Sequence, residues 1–181
     1  MIQPSQLCQG NQQESQTLDD PLRHLTACHR RIEERLATLE RVIPHWETLA
    51  DEALQAVRNA FRFFDTNGVW HTEDEERSIF PRMQGKLTEE ERGYLAELER
   101  QHDTAEAAYE ALRAIVSELD NQRADQEWIA AYAAATTRLA RLYRDHIASE
   151  DTRLVEIGTR ILSETELRTI AEEMKQRRGL R

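Results

Sequence analysis

Four stretches of this chain place residues at alternating steps of three and four, and each resulting stripe is apolar except around one point. Such steps return to the same face of an α-helix, so each stretch predicts one amphipathic helix. The first stripe runs Leu22, Leu25, His29, Ile32, Leu36, Leu39 and Ile43, and stops at Pro44. It opens at Asp20-Pro21, an N-cap followed by proline at the first helical position. The second runs Leu54, Val57, Phe61, Phe64, Gly68, His71, Glu75 and Ser78, and ends near Phe80-Pro81. Gly68 is a poor helix-interior residue, but the spacing continues across it, which predicts one helix kinked there. The third opens at the capping box Thr88-Glu89-Glu90-Glu91 and carries Leu95, Leu98, His102, Ala105, Tyr109, Leu112, Val116 and Leu119. After a loop from Asn121 to Asp125, the fourth runs Ile129, Tyr132, Thr136, Leu139, Tyr143, His146, Glu150 and Arg153, fading near Gly158. Ser163-Glu164-Thr165-Glu166 caps a short fifth helix that ends at Arg177-Arg178-Gly179.

Four such stripes joined by short loops predict an all-α fold: an antiparallel up-down-up-down four-helix bundle over residues 20–158. The short extra C-terminal helix, in 159–181, is expected on or beside the bundle. Residues 1–19 are polar and Gln-rich, without the basic and apolar regions of a signal peptide, and are expected to be a disordered lead-in. With 181 residues, 6 Gly and 4 Pro, the chain fits one helical domain. Its net charge of −10 and lack of a basic patch argue against nucleic acid and anionic membrane surfaces as partners. No apolar run is long enough to span a bilayer. The two cysteines, Cys8 and Cys28, have no metal-ribbon spacing. A soluble, cytoplasmic protein is the expectation.

The polar exceptions within the stripes carry the chemistry. His71-Thr72-Glu73-Asp74-Glu75 and His146-Ile147-Ala148-Ser149-Glu150 each set a His four residues before a Glu, which stacks both side chains on one helix face. His29 lies 9 residues after Asp20, His71 9 before Phe80, His102 14 after Thr88 and His146 12 before Gly158. At ~1.5 Å rise per residue, these levels agree within roughly 8 Å in an antiparallel bundle. A lone His on an apolar face is more often a hydrogen-bonded core residue than a ligand. Four histidines and two glutamates at one level are different, because two carboxylates buried among imidazoles need a cation to offset their desolvation. A set of imidazoles and carboxylates without thiolate fits iron or manganese. Two central glutamates can bridge a pair of ions and leave positions open for a small ligand such as O₂, NO or peroxide.

These residues resemble the hemerythrin HHE cation-binding family. The likeness rests on Cys28-His29-Arg30-Arg31-Ile32, on the string from Trp70-His71 through Glu75-Glu76 to Phe80-Pro81, on Gln101-His102-Asp103, and on His146-Ile147-Ala148-Ser149-Glu150-Asp151. It implies a non-heme centre of two Fe ions bridged by Glu75, Glu150 and an oxo or hydroxo group, with Mn or Zn as substitutes. His29, His71, His102 and His146 would be the terminal ligands. The oxygen-carrying members have a further His one turn before the third-helix ligand, where this chain has Leu98. They ligate through a carboxylate five residues after the last His, which here is Asp151, with Glu150 at plus four. The resemblance therefore implies a reactive or sensing centre for O₂, NO or peroxide rather than a simple oxygen carrier.

Two other functions remain open: a di-iron oxidase or peroxidase, and a helical binding module with a purely structural metal. The first is disfavoured because no Glu-x-x-His pair falls on a stripe. Around the six residues, Glu106 is a candidate seventh ligand, with a surface carboxylate the plainer reading. Tyr109 and Tyr143 are candidates to meet a ligand, with core tyrosines of satisfied hydroxyl the plainer reading. His24 and His45 are expected to face solvent, and Glu73, Asp74 and Glu76 to form a solvated face. Cys28 is expected to pack rather than react.

Overall fold

The structure, a computed structural model, describes residues 17–119 and 124–180. The expected lead-in over 1–19 thus lies almost wholly outside the described residues, as does most of the loop from Asn121 to Asp125. No strand occurs among the described residues.

The first bundle helix, α1 (Pro21–Arg41), starts where Asp20 accepts a hydrogen bond from the Arg23 N–H at 3.2 Å. It buries Leu22, Leu25, His29, Ile32, Leu36 and Leu39, the predicted stripe. The second is a composite rod: α2 (Ala50–Phe63), a π turn over Phe64–Gly68, α3 (Val69–Asp74), a second π turn over Glu75–Ile79, and α4 (Phe80–Met83). It neither breaks at Gly68 nor ends at Pro81. The wider turns absorb both residues. The Phe80 N–H already reaches back five residues to the Glu75 carbonyl, so Pro81, which has no N–H, follows without interrupting a regular ladder.

The third helix, α5 (Glu89–Glu118), begins with the predicted capping box, Thr88 and Glu91 each bonding the other's backbone N–H. The fourth comprises α6 (Gln126–Ser149), a π turn over Glu150–Leu154 and α7 (Val155–Ile161). It runs past Gly158 instead of fading there. A Cβ on Gly158 would come within 3.0 Å of a Leu22 methyl, so this glycine marks a close crossing with α1 rather than a helix end. Finally α8 (Glu164–Arg177), capped by Ser163 and Glu166, packs against α1 and the middle of the second helix.

The close backbone approaches join the first helix to the second and fourth, and the third to the fourth. The apolar interior forms two clusters. One gathers Ile32, Leu36, Trp46, Phe61, Leu112 and Tyr132. The other gathers Leu25, Phe80, Leu95, Leu98, Ile170 and Met174, two of them from α8. Each fully buried large side chain contributes roughly 1.5–3 kcal/mol relative to exposure. The polar level lies between the clusters. No helix among the described residues is long and apolar enough to cross a membrane.

Candidate metal centre

His29 comes from α1, His71 and Glu75 from the second helix, His102 from α5, and His146 and Glu150 from the fourth helix. Their Nε2 atoms converge on the two carboxylates. His29 Nε2 lies 3.1 Å and His146 Nε2 3.0 Å from Glu150 Oε2. His102 Nε2 lies 3.2 Å from Glu75 Oε2, and His71 Nε2 3.6 Å from Glu75 Oε1. The ligand atoms form two groups of four, each within 4.8 Å: His29, His71, Glu75 and Glu150, and His102, His146, Glu75 and Glu150. Both glutamates belong to both groups. They are 0 % exposed, and none of their four oxygens has a hydrogen-bond partner; nor does His29 Nε2. Close approach without hydrogen bonding is the arrangement of a donor set that holds a cation, since buried carboxylates without partners are otherwise very costly.

Burial and the Glu150 charge push the Glu75 carboxyl up to about 7. Burial acts on Glu150 in the same sense, but His146, His29 and His71 hold its carboxyl well below the usual carboxylate range. Burial pulls His29 down, and Glu150, Glu75 and Asp151 more than reverse it, raising the ring to about 9. His102 is likewise raised to about 9, with Glu75, Glu76 and Glu150 overcoming burial. His71 stays well below its ordinary value, through burial and then repulsion from His29. A negative centre that draws positive charge onto His29 and His102 is one that a divalent cation would neutralise.

Behind the ring nitrogens that face the centre, three imidazoles are held from outside. Nδ1 of His29 sits 2.7 Å from Asp151, Nδ1 of His102 2.7 Å from Glu76, and Nδ1 of His146 3.0 Å from Gln101 Oε1. A carboxylate on Nδ1 puts the proton there and leaves Nε2 as a lone-pair donor, which both orients the ring and strengthens it as a ligand. The sequence offered a signal that spacing alone missed. Each His-x-x-x-Glu unit ends in a second acid, Glu75-Glu76 and Glu150-Asp151. The second acid crosses to an imidazole on a neighbouring helix. Asp151 thus holds His29 while Glu150 faces the centre. Both glutamates are also the first residue of a π turn, a widening that recurs at functional sites.

The six predicted residues are brought together at one level, and the flanking candidates divide. Glu106 is exposed and stands outside both groups. The Tyr109 hydroxyl is satisfied by Asp65 at 2.8 Å and the Phe61 carbonyl at 3.2 Å. His45 is exposed, as expected. His24 is not. It is 0 % exposed, bonded to Thr17 and, at 3.3 Å, to the buried Cys28 thiol, because α8 covers that side of α1. The solvated face expected at Glu73, Asp74 and Glu76 fails at Asp74, which is fully buried against Arg177 and Arg178; Glu76 is exposed, as expected, and also holds His102.

A cavity of about 560 Å³ opens between the second and third helices and reaches the centre at His71, His102 and His146. A search of curated proteins finds no match to the chain. The family model of the hemerythrin HHE cation binding domain matches residues 20–157, most of the sequence. That match agrees with the helical bundle and its His and Glu cluster, and the chain belongs to the hemerythrin HHE cation-binding domain family.

Proposed function

We propose that this protein holds two iron ions bridged by Glu75 and Glu150, and that the pair binds or reacts with O₂, NO or peroxide in sensing, storage or detoxification. The observation that carries this reading is the pair of four-atom groups sharing two buried glutamates whose oxygens have no other partner. His29 and His71 would serve one ion, and His102 and His146 the other. Mixed nitrogen and oxygen donors without thiolate favour iron or manganese over softer ions. Iron, when bound, would supply redox chemistry and positions open to a small ligand. The protein's own part is to orient three of the four imidazoles through Asp151, Glu76 and Gln101. It also keeps the bridging carboxylates dry and leaves a route in beside His71, His102 and His146.

Absorption spectra of the iron-loaded protein, recorded before and after exposure to O₂, NO and peroxide, test this reading. A near-ultraviolet band from a bridged ferric pair that changes with at least one of the three is expected. A spectrum indifferent to all three, in a protein that unfolds when its metal is removed, would instead establish a purely structural metal.

A further inference from the structure

Of the four tyrosines in the chain, three have satisfied hydroxyls. Tyr94 donates to the Ser149 carbonyl at 3.0 Å, Tyr109 to Asp65 at 2.8 Å with the Phe61 carbonyl 3.2 Å away, and Tyr132 to the Leu39 carbonyl at 3.0 Å. Tyr143 makes no hydrogen bond among the described residues, although its ring packs against Phe64, centroids 5.5 Å apart. A largely covered tyrosine normally finds a partner for its O–H. Tyr143 instead lines the cavity that leads to the centre.

Its position there is fixed by helix geometry. Tyr143 lies three residues before His146 on α6, and Glu106 four after His102 on the antiparallel α5. Their backbone positions therefore stand about one turn, roughly 5 Å along the bundle, from those of His102 and His146, toward the same end. The Tyr143 hydroxyl senses both Glu106 and the centre. Burial, then the Glu106 charge, then the Glu75 charge push the Tyr143 hydroxyl up to about 12. It is thus a donor at any ordinary pH. Glu106 also lines the cavity and has no ion pair or hydrogen bond among the described residues. The arginines of the cavity wall are occupied elsewhere, Arg77 with Glu73 at 2.9 Å and Arg113 with Asp65 at 3.0 Å.

We propose that Tyr143 is a specificity residue whose hydroxyl donates a hydrogen bond to the small ligand entering beside His102 and His146, while Glu106 opposes anionic ligands on the same path. This rests on the di-iron reading. It adds a donor for a ligand atom that gains negative charge and a carboxylate that penalises ligands arriving already charged. Together they favour uncharged diatomic ligands over free anions.

Azide titration of the iron-loaded protein, followed by its charge-transfer absorption, tests the proposal with Tyr143→Phe and Glu106→Gln. Iron content and thermal midpoint are measured on every sample. Tyr143→Phe is expected to keep its iron and its midpoint and to bind azide about tenfold more weakly, the loss of one hydrogen bond to a charged acceptor. Glu106→Gln is expected to bind azide about threefold more tightly and leave NO binding unchanged. Equal azide affinity in Tyr143→Phe and wild type would overturn the donor role while leaving the di-iron reading intact. Loss of iron in Tyr143→Phe would also overturn it, by making the tyrosine part of the metal's hold. A wild-type protein that takes up no iron pair would overturn both readings together.

Discussion

Replacing Glu150 with alanine is expected to remove both metal ions, whereas replacing His29 with alanine should remove only one. The difference follows from the shared carboxylates. Glu150 belongs to both four-atom groups, and His29 to the group with His71 alone. Removing even a group that merely supports a ligand typically costs 10–100-fold in metal affinity, so losing a bridging ligand should cost at least about 100-fold at each ion. His102, His146 and both glutamates are untouched in the His29→Ala protein, so that ion should remain. Metal analysis after exhaustive dialysis, with helicity checked by circular dichroism, distinguishes the cases. A folded Glu150→Ala protein that keeps half of its metal would show that the carboxylates are not shared.

The second large effect lies one residue before Glu75. Asp74 is 0 % exposed and faces Arg178 through two contacts, 2.7 Å from Nη2 and 3.2 Å from Nη1. Arg177 also pairs with it, and with Ser78. Burial raises the Asp74 carboxyl above its ordinary range, and the two guanidiniums pull it part of the way back. The Arg178 side chain is itself only 3 % exposed and lies over the Trp70 ring. Asp74→Ala would leave that charge buried without its counter-ion, a change that costs about 3–5 kcal/mol. For a chain of this size the thermal midpoint should fall by roughly 6–20 °C. A fall of less than about 3 °C, corresponding to roughly 1 kcal/mol, would mean that α8 is not anchored through this pair. In that case the apolar contacts of Ile170 and Met174, with the Arg82–Glu173 and Lys86–Glu166 pairs, hold the helix.

The bundle was legible because its signal is periodic. Leu22 to Leu39 and Leu95 to Val116 keep strict helical spacing, and the buried residues of α1 and α5 follow those stripes. The six polar exceptions were legible for the same reason, since their levels follow from rise per residue. What the spacing hid is of two kinds, turn widenings along the stripes and contacts made off them. A π turn inserts a residue without changing composition, so the widenings at Phe64, Glu75 and Glu150 left no mark beyond Gly68. Asp74 and His24 sit on faces that a four-helix bundle exposes. They are buried because α8 covers them, and no periodicity within one helix reveals where another helix docks. Glu76 read as a surface acid, and the partner of Asp151 went unseen, because the imidazoles they hold belong to other helices.

The central claim is that one pair of carboxylates holds two ions, and X-ray absorption fine structure at the iron edge tests it most directly. The iron-loaded protein should show a metal–metal scatterer at no more than about 4 Å, the spacing of a two-metal site. Its first shell should contain only nitrogen and oxygen, with the multiple scattering of imidazole. A first shell of the same atoms with no second metal inside that distance would contradict the account, as would sulfur among the ligands.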